Sequence, residues 1–246
     1  MRKILLLFCS LFLVAGMTFA QSQSFQSIRS TPAPMIKKAY TGTEETVRPE
    51  VPVANPGSTF DRTFQEEVIG NTIYDLQTNS AVQNRLARNP NTNALSAVWT
   101  QGQDAGAAFP NRGTGFNKFI DGEGWGDQPV SSIEDNVRTG WPTISLVADG
   151  SEVVIAHSAD SELIVNRNIG GNWQQSTIPS MAPPGMLWPR SASGGPDGNT
   201  VHAMAITTPV ANDGAEYEGV DGHILYHRST DGGETWDIVD AIIPGF

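Results

Sequence analysis

"HRSTDGGETWDI", residues 227–238, is the stretch whose reading decides the fold. Ser229, Asp231, Gly233 and Trp236 spell SxDxGxxW, with Glu234 between the last two. The residues gather as a catalytic cluster would, yet each also suits a tight turn. Gly232 and Gly233 tolerate positive φ, while Ser229 and Asp231 accept hydrogen bonds from turn amides that a strand ladder leaves unpaired. Trp236 can then fold back over the turn as an apolar cover. None of these residues is a poised base, so the turn reading is preferred.

Working outward, the chain repeats itself. "NTNALSAVWT" from Asn91, "DGSEVVIAHS" from Asp149 and "DGNTVHAMAI" from Asp197 align without gaps as a turn signal followed by a strand, their starts 58 and 48 residues apart. In that alignment Leu95, Val153 and Val201 share one face with Ala97, Ile155 and Ala203. Val98, Ala156 and Met204 make the opposite face apolar too, so the strands are expected to be covered on both sides. Upstream stand "GWPTIS" at Trp141 and "LWPRSA" at Trp188. Downstream, a strand, a glycine-rich turn and a Trp recur at Trp125, Trp173 and Trp236. The unit is therefore a four-stranded antiparallel sheet of roughly 50 residues, present three times, without a convincing helical stretch. The expected class is all-β, with the sheets as blades of a β-propeller.

"STDGGETW", residues 229–236, resembles the Asp box, or BNR repeat, of the sialidase superfamily and related propellers. The versions at Trp125 and Trp173 are eroded: the first keeps Asp121 and two glycines, the second only its glycines and Trp. The resemblance covers about residues 80–246 and implies a structural role for Ser229, Asp231, Gly233 and Trp236, remote from any active site. It also implies where sialidase chemistry would sit: three arginines on the sugar carboxylate, the first in an RIP motif, a loop Asp as acid/base, and a Tyr–Glu nucleophile. RIP is absent. Arg85 in "QNRLARNP" stands at the corresponding place, Arg190 in "WPRSA" holds the same repeat position two blades on, and Asp104 falls in the loop of the acid/base. A guanidinium fork suits a carboxylate. Both arginines equally suit solvation or pairing with acidic neighbours, and Asp104 an ordinary turn. A hydrolase would line a pocket at the propeller axis with Arg85, Arg190 and Asp104; a binding module would show apolar and small residues there.

Other chemistries find less support. His223 and His227 are four apart, which on a strand is about 13 Å, too far for one zinc ion. His157 and His202 read as isolated strand residues. Ca²⁺ is the one cofactor considered: Asp121, Glu123 and Asp127, or Asp213, Glu216 and Asp221, could hold it, but neither loop has EF-hand spacing and solvated loops are the preferred reading. Trp125 and Trp173 read as turn covers before sugar platforms.

The ends and the charge set the context. Residues 1–20, "MRKILLLFCSLFLVAGMTFA", have a basic start, an apolar run and small residues at Thr18 and Ala20, the build of a secretory signal. The single cysteine, Cys9, lies inside it, so the exported chain is expected to carry neither disulfide nor thiol nucleophile. Residues 21–59, rich in Ser, Thr and Pro, read as a linker or extended arm, and residues 60–246 as the blades. The signal holds two of the 15 basic residues and none of the 26 acidic ones; such an acidic surface argues against nucleic acid and anionic lipid as partners. No apolar run suits a membrane span. Three blades cannot close a ring, so the expectation is the N-terminal part of a longer six- or seven-bladed propeller, with "EEVIGNTIYDLQTN" supplying an outer strand from Ile69 to Leu76. The functional expectation is a secreted or surface module binding a glycan or protein ligand. The alternative is an exo-sialidase or related glycoside hydrolase whose remaining residues lie beyond the chain end.

Overall fold

A computed structural model describes residues 66–78, 83–104, 106, 109–183 and 185–244, all within the compact unit Phe64–Phe246. The signal and the arm lie outside the described residues. The described chain is all-β, with a single 3₁₀ turn at Val210–Asn212 as its helical content. Twelve strands form three four-stranded antiparallel sheets, each a meander in chain order. Sheet 1 holds β1 (Leu86–Arg88), β2 (Leu95–Gln101), β3 (Gly113–Ile120) and β4 (Gly124–Trp125). Sheet 2 holds β5 (Thr139–Leu146), β6 (Glu152–Ser158), β7 (Leu163–Ile169) and β8 (Asn172–Thr177). Sheet 3 holds β9 (Met186–Gly194), β10 (Thr200–Thr207), β11 (Ile224–Ser229) and β12 (Ile238–Ile242). The recurring segments seen in the sequence are the second strands β2, β6 and β10.

The sheets pack face to face, and two clusters show which faces meet. Val98 of sheet 1, with Phe116 and Ala87 beside it, packs on Ile144, Val154 and Trp173 of sheet 2. On the other side of sheet 2, Val153, Ile155, Leu163 and Val165 pack on Val201, Ala203, Ala205 and Leu225 of sheet 3. A buried polar clamp reinforces the first interface: the Ser96 hydroxyl donates to Glu152 Oε1 (2.7 Å) and Lys118 Nζ approaches the same oxygen (2.8 Å).

This pairing corrects the ungapped alignment. Leu86 pairs with Ala97 as Ile144 pairs with Val154, and Thr143 pairs with Ile155 as Arg190 pairs with Met204. β6 is therefore equivalent one residue away from the sequence alignment, while β2 and β10 keep it, and a slip of one exchanges the faces of a strand. Val153 thus looks toward sheet 3, whereas Val201 looks back toward sheet 2. The cause is strand length: the turns Val147–Ser151 and Gly195–Asn199 hold five residues each, but four residues, Thr143–Leu146, separate the Trp–Pro bulge from the turn in sheet 2 and five, Arg190–Gly194, in sheet 3.

Burial on both sides holds for β6, whose seven residues are all buried, but fails for β10, where Met204 is 43% exposed. Sheet 3 has nothing on its outer face among the described residues, while the outer face of sheet 1 is crossed by residues 66–77. There the Asn117 amide donates to the Ile69 carbonyl (2.7 Å), and the amide of Ile73 to the Gly102 carbonyl (2.9 Å). Trp99 lies between Gly70 and Gly115; a Cβ at either would come within 2.1 or 2.3 Å of the indole. This segment is extended but forms no assigned strand, a correction to the strand expected from Ile69 to Leu76.

Candidate functional site

Two ends of the sheets must be separated. At one lies the β11–β12 turn of the SxDxGxxW motif. The Gly233 amide donates to Ser229 Oγ (2.8 Å), and Ser229 Oγ donates to Asp231 Oδ1 (2.7 Å). Asp231 Oδ1 also accepts from the amides of Glu234 (3.0 Å) and Thr235 (2.8 Å). Gly232 and Gly233 hold φ of +74° and +86°. Partial burial works against the charged carboxylate of Asp231. The hydrogen bonds from Thr235, Ser229 and Glu234 outweigh it and hold the group below the usual range. The Ser229 hydroxyl and the Asp231 carboxylate are spent on the turn. Trp236 does not simply roof that turn: it packs into the cluster between sheets 2 and 3. Trp173 likewise reaches the preceding sheet, meeting Phe116 edge-on at 5.0 Å, while Trp125 meets Phe119 of its own sheet at 5.8 Å.

The other end carries the leading ends of the inner strands β1, β5 and β9, together with the β2–β3 loop. Trp141–Pro142 and Trp188–Pro189 form matching bulges: each pair opposes one residue of the second strand, Ala156 or Ala205. Both indoles sit on left-handed backbone, φ +50° and +52°. Proline has no N–H to lose from a ladder, so the bulge suits Pro142 and Pro189. The amide of each Trp is captured by the preceding sheet, Trp141 by Thr100 Oγ1 (3.1 Å) and Trp188 by His157 Nδ1 (3.2 Å). His157 stacks on Trp141 at 5.1 Å. Burial first, then the charges of Arg112 and Arg138, push its imidazole down to about 3. It is therefore a neutral acceptor with its proton on Nε2. Arg112 completes the layer, 4.7 Å from the Trp141 ring centroid and bonded through Nη1 to the Tyr74 hydroxyl (3.2 Å).

Arg85 and Arg190 share a repeat position with Thr143: Arg85 takes the Val98 amide on its carbonyl, just before β1, while Thr143 and Arg190 follow the bulges. Arg85 donates through Nη2 to the Gln77 carbonyl. Burial, followed by the nearby charge of Arg190, lowers its guanidinium to about 10. Arg85 Nε and Nη1 and Arg190 Nη1 are buried without a hydrogen-bond partner among the described residues, as are both amide atoms of Gln83. Neither arginine pairs with a carboxylate among those residues. Gln83 escaped the sequence reading because a lone Gln before a short strand carries no pattern; only its burial marks it.

Asp104 lies at this end, exposed, its Oδ1 accepting the Gly106 amide (2.8 Å). The buried carboxyl near the β2–β3 loop is instead Glu134, which burial raises despite hydrogen bonds from the Thr114 amide (2.7 Å) and the Thr139 hydroxyl (2.9 Å). A cleft of about 560 Å³ runs along the inner strands toward the opposite turns; Asn84, Arg88, Ser145, Ser191 and Ser193 line it, with small residues between. Arg85, Arg190 and Asp104 do not line it. Among the described residues no three His, Cys, Asp or Glu side chains stand together to hold a metal ion, and in the Asp213–Asp221 loop the Asp221 carboxylate is engaged by the Val210 amide (2.8 Å). No helix among the described residues is long and apolar enough to cross a membrane.

Compared with known proteins, the chain matches no family model and no curated protein sequence.

Proposed function

We propose that this is an exported module of β-propeller architecture, of the sialidase-like Asp-box kind, that binds an acidic glycan or protein ligand at the leading ends of its inner strands. The observation that carries the reading is the pair Arg85 and Arg190: one repeat position in sheets 1 and 3, with buried N–H donors that have no partner, and no carboxylate to neutralise them, among the described residues. Buried donors left unpaired cost about 1–3 kcal/mol each, a penalty that an incoming carboxylate relieves with charge-assisted bonds. Three meandering sheets packed face to face, with adjacent inner strands, support the architecture.

Binding is preferred to hydrolysis for a reason specific to the site. Most glycosidases need two opposed carboxyl groups, and one of the sialidase kind a loop Asp poised as acid/base. Asp104 is exposed and turned to its own loop, and Glu134 is tied to Thr114 and Thr139. The test is titration with sialyllactose and with lactose, for the chain and for Arg85→Lys and Arg190→Lys. The reading expects sialyllactose to bind at least about tenfold more tightly than lactose, a margin of about 1.4 kcal/mol that either change removes. Equal binding of the two sugars, or none, overturns it. Turnover of a fluorogenic sialoside that Asp104→Ala abolishes would establish the hydrolase instead.

A further inference from the structure

The connection from sheet 1 to sheet 2, residues 126–138, helps to wall a pocket of about 360 Å³ at the junction of the two sheets. Phe116 of β3 and Trp173 of β8, both half-buried, line it and meet edge-on at 5.0 Å and 81°. Pro129 and Ile133 add apolar wall from the connection, and Val130 beside them is 94% exposed. Arg85, Arg190 and Asp104 have no part in this pocket.

The wall is held in place by the sheets on either side. Gln175 of β8 grips the backbone of Asp135 twice, its Oε1 accepting the Asp135 amide (2.9 Å) and its Nε2 donating to the Asp135 carbonyl (3.4 Å). The Ile133 amide donates to the Thr114 carbonyl (3.0 Å), and Glu134 between them is buried against Thr114 and Thr139. A small pocket on such fixed elements loses little freedom when it is filled. Asp135 is the one charged residue that lines it. It is exposed and makes no ion pair among the described residues.

We infer that this pocket docks a lysine or arginine side chain from a basic segment of a partner protein. Aromatic rings attract a cation, apolar walls take its aliphatic stem, and a carboxylate meets its charged head. The wider field agrees, since 26 acidic residues outnumber 15 basic ones. A neutral sugar finds less here, because the side-chain amide that could bond two of its hydroxyls, Gln175, is already spent on Asp135.

Fluorescence anisotropy with a labelled peptide of alternating Ala and Lys tests this, beside the matching Ala–Gln peptide. The Lys peptide should bind at least about tenfold more tightly than the Gln peptide. Asp135→Asn should weaken it about tenfold and Trp173→Leu about threefold. Asp213→Asn removes the same charge from the exposed connection between β10 and β11, and should change binding less than about twofold. Circular dichroism melts check that each variant is folded; where Trp173→Leu is not, Asp135→Asn against Asp213→Asn decides. Equal losses in those two variants would reduce the effect to a general attraction of cations and overturn the inference. Equal binding of the two peptides, or none into the millimolar range, overturns it as well. So does maltose binding that Trp173→Leu removes and Asp135→Asn leaves intact. None of these outcomes bears on sialyllactose at Arg85 and Arg190.

Discussion

Strands β6 and β10 occupy the same place in successive sheets and carry similar sequences, EVVIAHS and TVHAMAIT, yet they live in different surroundings. Every residue of β6 is buried, because sheet 1 covers one face and sheet 3 the other. In β10 Val201, Ala203 and Ala205 are buried, while His202, Met204 and Ile206 between them are not. The difference teaches that burial in a stack of sheets belongs to neighbours as much as to residues. An apolar run announces a strand that can be covered twice; whether it is covered depends on what stands beside it.

The contrast can be broken most directly by truncation. Ile155→Ala should cost about 3 kcal/mol in urea unfolding, the transfer loss plus a cavity that close packing cannot collapse. Met204→Ala, measured at concentrations where the chain is monomeric, should cost below about 1 kcal/mol. Equal losses would mean that the two environments are alike after all.

The pH dependence of the middle sheet sharpens it next. His157 titrates at about 3 in the folded chain and near 6.5 unfolded, so the unfolded chain takes up the proton first as pH falls. Its contribution to stability is complete above about pH 6.5 and declines below it, by about 2 kcal/mol at pH 5. Replacing it by the uncharged acceptor, His157→Asn, should flatten this part of the curve. An unchanged curve in His157→Asn would remove the distinction.

The turns offer a third comparison. Asp231→Ala removes the acceptor shared by Glu234, Thr235 and Ser229 and should cost about 1.5 kcal/mol. The worn turn of sheet 2 relies on Asn168 Oδ1 accepting the Gly171 amide (2.9 Å), and Asn168→Ala should cost about 0.5 kcal/mol. Reversed values would show that the intact motif is not the stronger corner. The smallest effect concerns ion pairs. A double-mutant cycle on Lys118 and the buried Glu152 should return a coupling of about 1 kcal/mol. The exposed Arg228–Asp237 pair should return none above error, and a sizeable coupling there would indicate that the outer face of sheet 3 is covered in solution.

Much of the architecture was legible because it repeats. The Trp–Pro segments, the second strands and the Trp-ending turns each mark one strand or turn of a four-stranded unit, and SxDxGxxW names its turn through residue types that only a tight turn needs together. The same sequence misled at register: the ungapped match placed Val153 and Val201 on one face, and a strand one residue longer between bulge and turn set them on opposite ones. Of the site, Arg85 and Arg190 were visible as a repeat position. Gln83, His157, Arg112 and Glu134 were not, since their roles come from burial and from partners in other sheets.

By itself, then, the sequence determined the strand class, the three-fold repetition and the turn-building duty of Ser229, Asp231 and Gly233. These are local matters of alternation, turn chemistry and positive φ. Tertiary structure alone decided which face of each strand meets a neighbour, that His157 is a buried neutral acceptor, and that Arg85 Nε and Nη1 and Arg190 Nη1 lack partners among the described residues. Those properties depend on groups dozens of residues apart, and a side chain's solvation and charge state are set by whatever the fold places around it.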